Sequence, residues 1–333
     1  MRFLFLLIIC TLPAFGQEYH LTKVETGIAA TFRALSVVDN QVAWLSGSKG
    51  WTGLTNDGGK TWNFSQVKGF ENSDFRSLYG FDDQRAVIAN AGSPTTILLT
   101  EDGGKTWHAV YSNNHKDAFV DGVDFWNKND GLMMGDRIEG KMLLLRTHDG
   151  GRSWTAVQDA PLLSPGEGSF AASGTGIRCT GKRDVMICTG GTISRLWKSE
   201  DQGTHWSFIP VPVIQGQSTT GIFSFLSNNS HLIVVGGNYK DEWYNHDHNF
   251  YSKDGGAHWL TPVPPARGFR ECVEPINNNT LIATGPSGTD ISYDNGITWK
   301  GLSDEKGLHV VRKARNGNRV MAAGNNGLVF IVE

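Results

Sequence analysis

The chain has 333 residues, with 30 Lys or Arg and 33 Asp or Glu, so its formal net charge is −3. The basic residues are scattered along the chain, which argues against nucleic acid as a partner. With 41 Gly, 11 Trp and only 19% charged residues, the composition is typical of a dense all-β protein.

The first residues have the features of a secretion signal. A positive charge at Arg2 precedes the apolar run from Phe3 to Leu12, and Ala14-Phe15-Gly16 forms a small-x-small cleavage position. The run is too short to span a bilayer. We therefore expect residues 1–16 to be a signal peptide. Residues 17–333 should then form one secreted or periplasmic domain that does not span a membrane.

One eight-residue pattern occurs six times: Ser or Thr, a spacer, Asp, a spacer, Gly, two spacers and Trp. Its aspartates are Asp57, Asp102, Asp149, Asp201, Asp254 and Asp294. The Asp side chain accepts bonds from backbone N–H groups just ahead of it, and the Gly suits a positive φ. The Trp offers a large apolar surface to bury beside the turn. The pattern predicts a hairpin turn with an aromatic anchor.

Calcium binding is the alternative interpretation of this pattern, because Asp-Gly also occurs in calcium loops. Such loops need several oxygen ligands at alternating positions, whereas most copies here carry one carboxylate. A structural role is favoured, and we expect no metal at the repeats.

The six segments resemble the Asp-box, or BNR, repeat of sialidases, sortilins and related propellers. The resemblance implies a β-propeller fold but no particular activity. Successive box aspartates are 45, 47, 52, 53 and 40 residues apart, which is the length of one four-stranded blade. First strands are expected to begin near Phe32, Phe75, Phe119, Phe170, Ile222 and Phe269.

A seventh copy of the blade pattern begins at His309 and ends before any box, so it lacks one strand. We expect residues 18–24 to supply this outer strand. The expected fold is a single seven-bladed β-propeller, closed by pairing of the N-terminal strand with the C-terminal blade, which hides two strand edges. Six blades with a C-terminal appendage is the alternative.

Three cysteines follow the expected cleavage site. Cys179 and Cys188 flank the turn at residues 181–184, and residues symmetric about such a turn can face each other at disulfide distance. In an oxidising compartment they form a candidate disulfide. The alternative is two small apolar residues in a strand pair. Cys272 is expected to be buried.

The face opposite the box turns is where ligands of propellers usually bind. Loops between second and third strands meet the starts of the first strands there, around a central channel. We expect a channel-mouth cluster made of Arg33, Arg76, Asp121, Asp136, Glu167, Arg270 and Glu271. The three arginines hold equivalent blade positions, so they are candidates to converge on one anion. Alternatively, they pair with Asp121, Glu167 or Glu271 and fill the channel mouth.

The longest loop at this rim covers residues 238–249. Two histidines, His246 and His248, flank Asp247 in it and suggest a metal site, although two imidazoles and one carboxylate are a weak ligand set. A solvated polar loop is the alternative. Its aromatics Trp243 and Tyr244 are candidates to stack on a sugar or a peptide.

The whole mature chain resembles propellers of the photosystem II stability/assembly-factor type, including secreted bacterial relatives often labelled oxidoreductases. The likeness is carried by residues 32–37, 170–175 and 285–290. It implies a protein-binding or assembly module without catalysis, whose partner is another protein or a glycan. No nucleotide, haem or flavin motif supports the oxidoreductase label, so no cofactor is expected.

A sialidase-like glycoside hydrolase or polysaccharide lyase, acting on acidic glycans, is the alternative function. Asp121, Asp136, Glu167, Glu271 and Tyr239 are its candidate acids and nucleophile. The sialidase Arg-Ile-Pro motif is absent, because Arg33 is followed by Ala34-Leu35 and Arg76 by Ser77-Leu78.

Overall fold

The computed structural model describes residues 18–333, so the predicted signal peptide lies outside the described residues. The prediction of an all-β protein is confirmed: these residues form β-strands and contain no α-helix. Two short 3₁₀ turns, at Ser48–Gly50 and Asn325–Gly327, each precede a third strand. Within residues 18–333 there is no helix with the length and apolar character needed to cross a membrane.

Most sheets are built from strands that follow one another along the chain. The strand β1 (Leu21–Val24) differs, because it joins a sheet whose other strands lie at the far end of the chain. The first sheet contains β2 (Phe32–Val37), β3 (Ala43–Gly47), β4 (Trp51–Thr55) and β5 (Asn63–Gln66). The second contains β6 (Phe75–Gly80), β7 (Ala86–Asn90), β8 (Thr95–Thr100) and β9 (His108–Asn113). The third contains β10 (Val120–Phe125), β11 (Gly131–Ile138), β12 (Lys141–Thr147) and β13 (Thr155–Ala156).

The next sheet has eight strands. Its first half contains β14 (Glu167–Gly168), β15 (Ile177–Thr180), β16 (Asp184–Gly191), β17 (Arg195–Ser199) and β18 (Ser207–Pro210). Its second half contains β19 (Thr220–Asn228), β20 (His231–Asn238) and β21 (Asn249–Ser252). The halves join at one pairing, Gly190 with Gly221. A Cβ on Gly190 would lie 2.8 Å from the Gly221 Cα, so this contact requires glycine.

Two further sheets complete the described chain. One contains β22 (Cys272–Pro275), β23 (Leu281–Gly285), β24 (Gly288–Ser292) and β25 (Lys300–Ser303). The other contains β26 (Leu308–Lys313), β27 (Val320–Gly324), β28 (Val329–Val332) and, at its edge, β1. Leu21 lies opposite Val332 and Val24 opposite Val329, so the first described strand pairs antiparallel with the last.

Burial decreases from the first strand of each sheet to the fourth. β2 and β6 are almost wholly buried, whereas β5 and β9 are largely exposed. We call β2, β6, β10, β15, β19, β22 and β26 the inner strands. Successive inner strands pack together along the chain, except that β19 packs mainly against β16 rather than β15, and β26 packs against β2. The apolar clusters lie between successive sheets, which places the starts of the inner strands around a common centre.

Each Asp-box forms a hydrogen-bonded turn after a third strand; in five copies a fourth strand follows, and after the fifth copy a single bridge between Tyr251 and Leu260 takes its place. In the second copy, Asp102 Oδ1 accepts bonds from Thr100 Oγ1 and the Thr106 N–H, both at 2.9 Å. The Gly104 N–H donates to Thr100 Oγ1 at 3.0 Å, and Gly104 has a φ of +82°. The Thr106 hydroxyl and N–H lower the pKa of Asp102 to about 2. The Asp therefore holds the turn closed from within.

The predicted disulfide between Cys179 and Cys188 is wrong. Cys179 lies opposite Val185, whereas the Cys188 N–H donates to the carbonyl of Gly176 at 2.9 Å. Their side chains belong to different apolar clusters, on opposite faces of the sheet, and both thiols are free. Burial raises the pKa of Cys188 to about 12. Cys272 is completely buried, as expected.

Candidate functional site

A cavity of about 1040 Å³ opens where the inner strands begin. The loops after second strands contribute Ser93, Asp136, Arg137, Gly190, Gly191, Tyr239, Pro286 and Asn325 to its walls. Residues at the starts of inner strands contribute Arg33, Arg76, Asp121, Phe223, Glu271 and His309. These are the two kinds of segment that the sequence placed at the channel mouth.

A short segment, residues 169–175, crosses the space between the inner strands, and we call it the plug. The Ser173 hydroxyl donates to the Glu271 carbonyl at 2.8 Å, and the Thr175 hydroxyl donates to Ser224 Oγ at 2.7 Å. The Arg33 guanidinium donates to the Ala172 carbonyl at 3.3 Å. Because these partners lie at or beside β22, β19 and β2, the plug is fixed to several sheets at once.

The prediction of a first strand near Phe170 was therefore wrong. That inner strand is β15, which begins at Ile177. Residues 169–175 are small except Phe170, so this stretch fits among the tightly spaced inner strands and leaves the room above it to the cavity.

Arg33, Glu271 and His309 form one charged cluster on the cavity wall. Arg33 Nη1 lies 3.3 Å from Glu271 Oε1, and His309 Nδ1 lies 2.5 Å from Glu271 Oε2. His309 Nε2 lies 2.9 Å from Asn325 Oδ1. Burial alone would raise the pKa of Glu271, but His309 and Arg33 outweigh burial and hold it below its usual value. The Glu271 carboxylate is therefore bound on both sides, by His309 and by Arg33, and it holds the Arg33 guanidinium in position.

Arg76, Asp121 and Asp136 line another part of the wall. Arg76 Nε donates to Asp74 Oδ2 at 2.7 Å. Asp136 Oδ1 accepts a bond from the Ser169 N–H at 3.1 Å. Asp121 is 1% exposed; the Ala171 backbone N–H lies near it, but neither of its oxygens makes a hydrogen bond of standard geometry among the described residues. Burial, and then the neighbouring Asp136, raise the pKa of Asp121 well above its usual value, while Arg76 opposes them.

Two members of the predicted cluster have buried side chains; Glu167 lines the cavity, and Arg270 does not. Glu167 accepts bonds from Thr189 Oγ1 at 2.8 Å and Trp197 Nε1 at 3.2 Å, and Arg195 lies 3.4 Å from its other oxygen. Arg270 is completely buried, and its Nη2 lies 2.6 Å from Asp290 Oδ2. The predicted convergence of three arginines is therefore not formed, because Arg270 points into the sheet.

A cluster of four aromatic residues also lines the cavity, and of these the sequence singled out only Tyr239 as a candidate site residue. Phe170 stacks on Phe223 with ring centroids 3.9 Å apart and planes 6° from parallel. Phe269 meets Phe223 edge-on at 4.6 Å, and Tyr239 lies 6.4 Å from both Phe170 and Phe223. Tyr239 is 45% exposed, so it offers an accessible ring above a rigid apolar base.

The loop proposed for metal binding separates its histidines. His248 is buried, and its Nε2 lies 2.8 Å from the carbonyl of Ala266, while His246 is exposed and packs edge-on against Tyr244. Among residues 18–333, no group of three or more His, Cys, Asp or Glu side chains has the arrangement of a metal site.

Comparison with known proteins shows what this chain is similar to. The family model for the photosystem II assembly factor YCF48 matches residues 16–117. The solved structure "YCF48 bound to D1 peptide" is 17% identical, covers 95% of this chain and 97% of that chain, and has a TM-score of 0.68. YCF48 from Cyanidioschyzon merolae is 15% identical, with 95% and 98% covered and a TM-score of 0.68. The chain is consistent with the YCF48-like family of BNR propellers.

The resemblance predicted from the sequence is thus confirmed, as is the β-propeller fold. The Niastella koreensis GH74 enzyme is also similar, at 15% identity and a TM-score of 0.63, but the match covers 92% of this chain and only 53% of that enzyme. No curated protein sequence matches the chain. The family match at residues 16–117 includes Arg33 and Arg76 but ends before Asp121.

Proposed function

We propose that this chain is a secreted or periplasmic propeller of seven blades that acts as a protein-binding or assembly module. In this proposal a peptide segment of a partner protein occupies the channel-mouth cavity. The observation that carries the proposal is a large, open cavity with fixed charges on one wall and an aromatic surface on the other. The solved YCF48 relative that is bound to D1 peptide supports the same mode of action.

The proposal includes a ring of seven blades, closed by a sheet to which both the first and the last described strands belong. It is supported by inner strands that pack in sequence, with β16 in place of β15 as the main neighbour of β19 and with β26 returning to β2. It is also supported by β1, which completes the sheet of β26–β28 from the other end of the chain. The joining of two blades at Gly190 and Gly221 accounts for the eight-stranded sheet.

The size and chemistry of the cavity favour a peptide. Its volume of about 1040 Å³ lies at the upper end of small-molecule pockets, which span roughly 300–1,000 Å³. Tyr239 and the stacked phenylalanines offer apolar contact, while Arg33 and Arg76 are oriented by carboxylates and keep further N–H groups available. An extended peptide presents both carbonyl oxygens and side chains to such a surface.

Hydrolysis of a glycan fits the geometry less well. It requires two carboxyl groups placed on either side of the bond to be cleaved. Asp121 and Asp136 follow paired positions of β10 and β11 on one wall, while Glu167 and Glu271 are held by Arg195 and His309. The arrangement favours binding over hydrolysis.

Selection of peptides from a phage-displayed random library tests this function. Peptides that bind the chain should lose affinity on Tyr239→Ala by roughly tenfold, the effect of removing an aromatic contact worth about 1.4 kcal/mol. Tyr293→Ala is the matched control, because Tyr293 is 38% exposed and lies outside the cavity. Equal binding by the two variants, or binding only on a parallel acidic-glycan array, would refute the proposal.

The proposed compartment needs its own measurement. Cleavage after Gly16 predicts that the mature protein begins at Gln17. Amino-terminal sequencing of the protein recovered from the periplasm or medium should find that residue, and recovery of the uncleaved chain from the cytoplasm would contradict it.

A further inference from the structure

Asp121 and Asp136 both stand at irregular positions of the same sheet. Val120 lies opposite Gly135 and Gly122 opposite Met134, so Asp121 is the extra residue of a β-bulge. The pairing of β11 with β12 shifts between Gly135 and Arg137, so Asp136 occupies a second irregularity next to the first. Bulges redirect a side chain away from the regular alternation of a strand. Both residues line the cavity.

The Asp121 carboxyl is buried and poorly partnered. Its exposure is 1%, and although the Ala171 backbone N–H lies close enough to stabilise its ionised form, neither oxygen makes a hydrogen bond of standard geometry within residues 18–333. Buried polar groups are normally paired, because leaving one unpaired is costly. Since Asp121 lines the cavity, a ligand in the cavity can supply the donors that the chain does not.

The charged groups around Asp121 sum to a negative charge, so the site is acidic. Asp136 on β11 is a second acid, and the Cys188 thiol on β16 also interacts with Asp121. Arg76 on β6 is the nearby cation, but its Nε is bound to Asp74. On β15, Arg178 is directed away, with Nη2 at 2.8 Å from Glu274.

We propose that Asp121 and Asp136 form a receptor for an organic cation with N–H donors, in particular the ammonium group of a lysine side chain or of a peptide amino terminus. The peptide source rests on the proposed function, whereas the receptor itself does not. Two Asp121 oxygens and the second Asp136 oxygen offer acceptors to the donors of one ammonium group. Phe119 and Phe170 line the same cavity and provide apolar surface for the carbon chain of the ligand. A metal ion is a poorer occupant, since the described residues bring no third ligand to this pair.

Binding of a cation here is coupled to release of a proton. Burial raises the pKa of both Asp121 and Asp136, so Asp121 keeps its proton to a higher pH in the empty cavity than an ordinary aspartate does. An ammonium group stabilises the ionised form. Affinity should therefore increase as the pH rises toward the raised pKa of Asp121 and level off above it.

The test uses Nα-acetyl-lysine N-methylamide as the probe and its Nε-acetylated form as the neutral control. Titrations across pH, followed by the carboxyl ¹³C resonance of Asp121, should show binding of the cationic probe alone and a lower pKa for Asp121 when it is bound. Asp121→Asn and Asp136→Asn should each weaken binding by roughly tenfold or more, because each removes a charge-assisted hydrogen bond. Asp159→Asn, which removes an exposed carboxylate outside the cavity, is the matched control.

Equal binding of the neutral probe, affinity that falls with rising pH, displacement of the probe by Ca²⁺ at stoichiometric concentration, or an unchanged affinity of both Asn variants would each overturn the proposal. If Asp121→Asn does not fold, Asp136→Asn and the pKa of Asp121 in the unaltered protein decide the matter. Among selected peptides, acetyl-capped lysine peptides and lysine-free peptides with a free amino terminus identify the source of the cation. Failure to select any peptide would refute the proposed function, while the small probe would still test the receptor.

Discussion

Arg270 and Asp290 form an ion pair in which both side chains are completely buried. Nη2 of Arg270 lies 2.6 Å from Asp290 Oδ2, and its Nε donates to the same oxygen at 2.8 Å. Arg267 donates from Nε to the other Asp290 oxygen at 2.7 Å. Asp290 on β24 thereby fastens the segment that leads into β22, and this segment forms one side of the cavity mouth.

Breaking this ion pair should lower the stability of the folded protein. Arg270→Met leaves Asp290 buried with only Arg267 as a cationic partner, and we expect the free energy of unfolding to fall by about 3–5 kcal/mol. Urea denaturation followed by tryptophan fluorescence measures it. Arg267→Met should cost clearly less, because the Arg267 side chain is 42% exposed and water can replace it. Equal losses in the two variants would show that burial does not set the strength of this pair.

Removing β1 should expose the edge of β28. Unpaired edge strands recruit other chains, so a chain that begins at residue 25 should melt at a lower temperature and aggregate more than one that begins at residue 18. Differential scanning calorimetry and light scattering provide the measurement. Lys23→Ala is the control, since Lys23 is exposed and the substitution keeps the backbone ladder of β1. Identical melting of the long and short chains would contradict closure of the ring by β1.

The Asp-boxes should make stability sensitive to acid. Hydrogen bonds from the residue four positions ahead lower the pKa of Asp57, Asp102 and Asp254 to about 2 in the folded protein, whereas an unfolded Asp titrates at about 3.9. A lowered folded pKa gives stability that is present above about pH 4 and is lost toward about pH 2.

This prediction is checked by thermal unfolding of the unaltered protein and of Asp102→Asn across that range of pH. The variant should be less stable at neutral pH and should approach the unaltered protein as the pH falls to about 2. A difference between the two that does not change with pH would show that the Asp102 charge contributes nothing.

The thiols should be inert in the folded protein. Burial raises the pKa of Cys179, Cys188 and Cys272, so little thiolate exists at neutral pH. A thiol reagent such as dithionitrobenzoate should label these three residues only after denaturation, including after isolation from an oxidising compartment. Mass spectrometry that found a bridge between Cys179 and Cys188 would contradict the separation of these residues on opposite faces of their sheet.

The sequence predicted the regular part of this fold because regular parts repeat. The inner strands that begin at Phe32 and Phe75 follow one template, and the box around Asp102 satisfies its own hydrogen bonds. The plug was missed because Phe170 imitates the start of an inner strand. The 52-residue interval between Asp149 and Asp201 and the run of small residues after Phe170 were the available signals.

Pairing within the site could not be predicted from the sequence. Arg33 and Glu271 are 238 positions apart and meet only because their sheets converge on one centre. Arg270 and Glu271 are adjacent in the chain, yet one is turned into the sheet and the other lines the cavity. Which neighbour faces inward depends on the backbone at the start of β22, which the residue types alone do not determine.

The plug makes the mouth a pocket with a floor. Ser173 and Thr175 are buried and bonded to residues at β22 and β19, so no chain can pass them without breaking those bonds. A long polymer therefore cannot pass through the centre of the molecule from one face to the other. A ligand in the cavity therefore enters and leaves through the mouth.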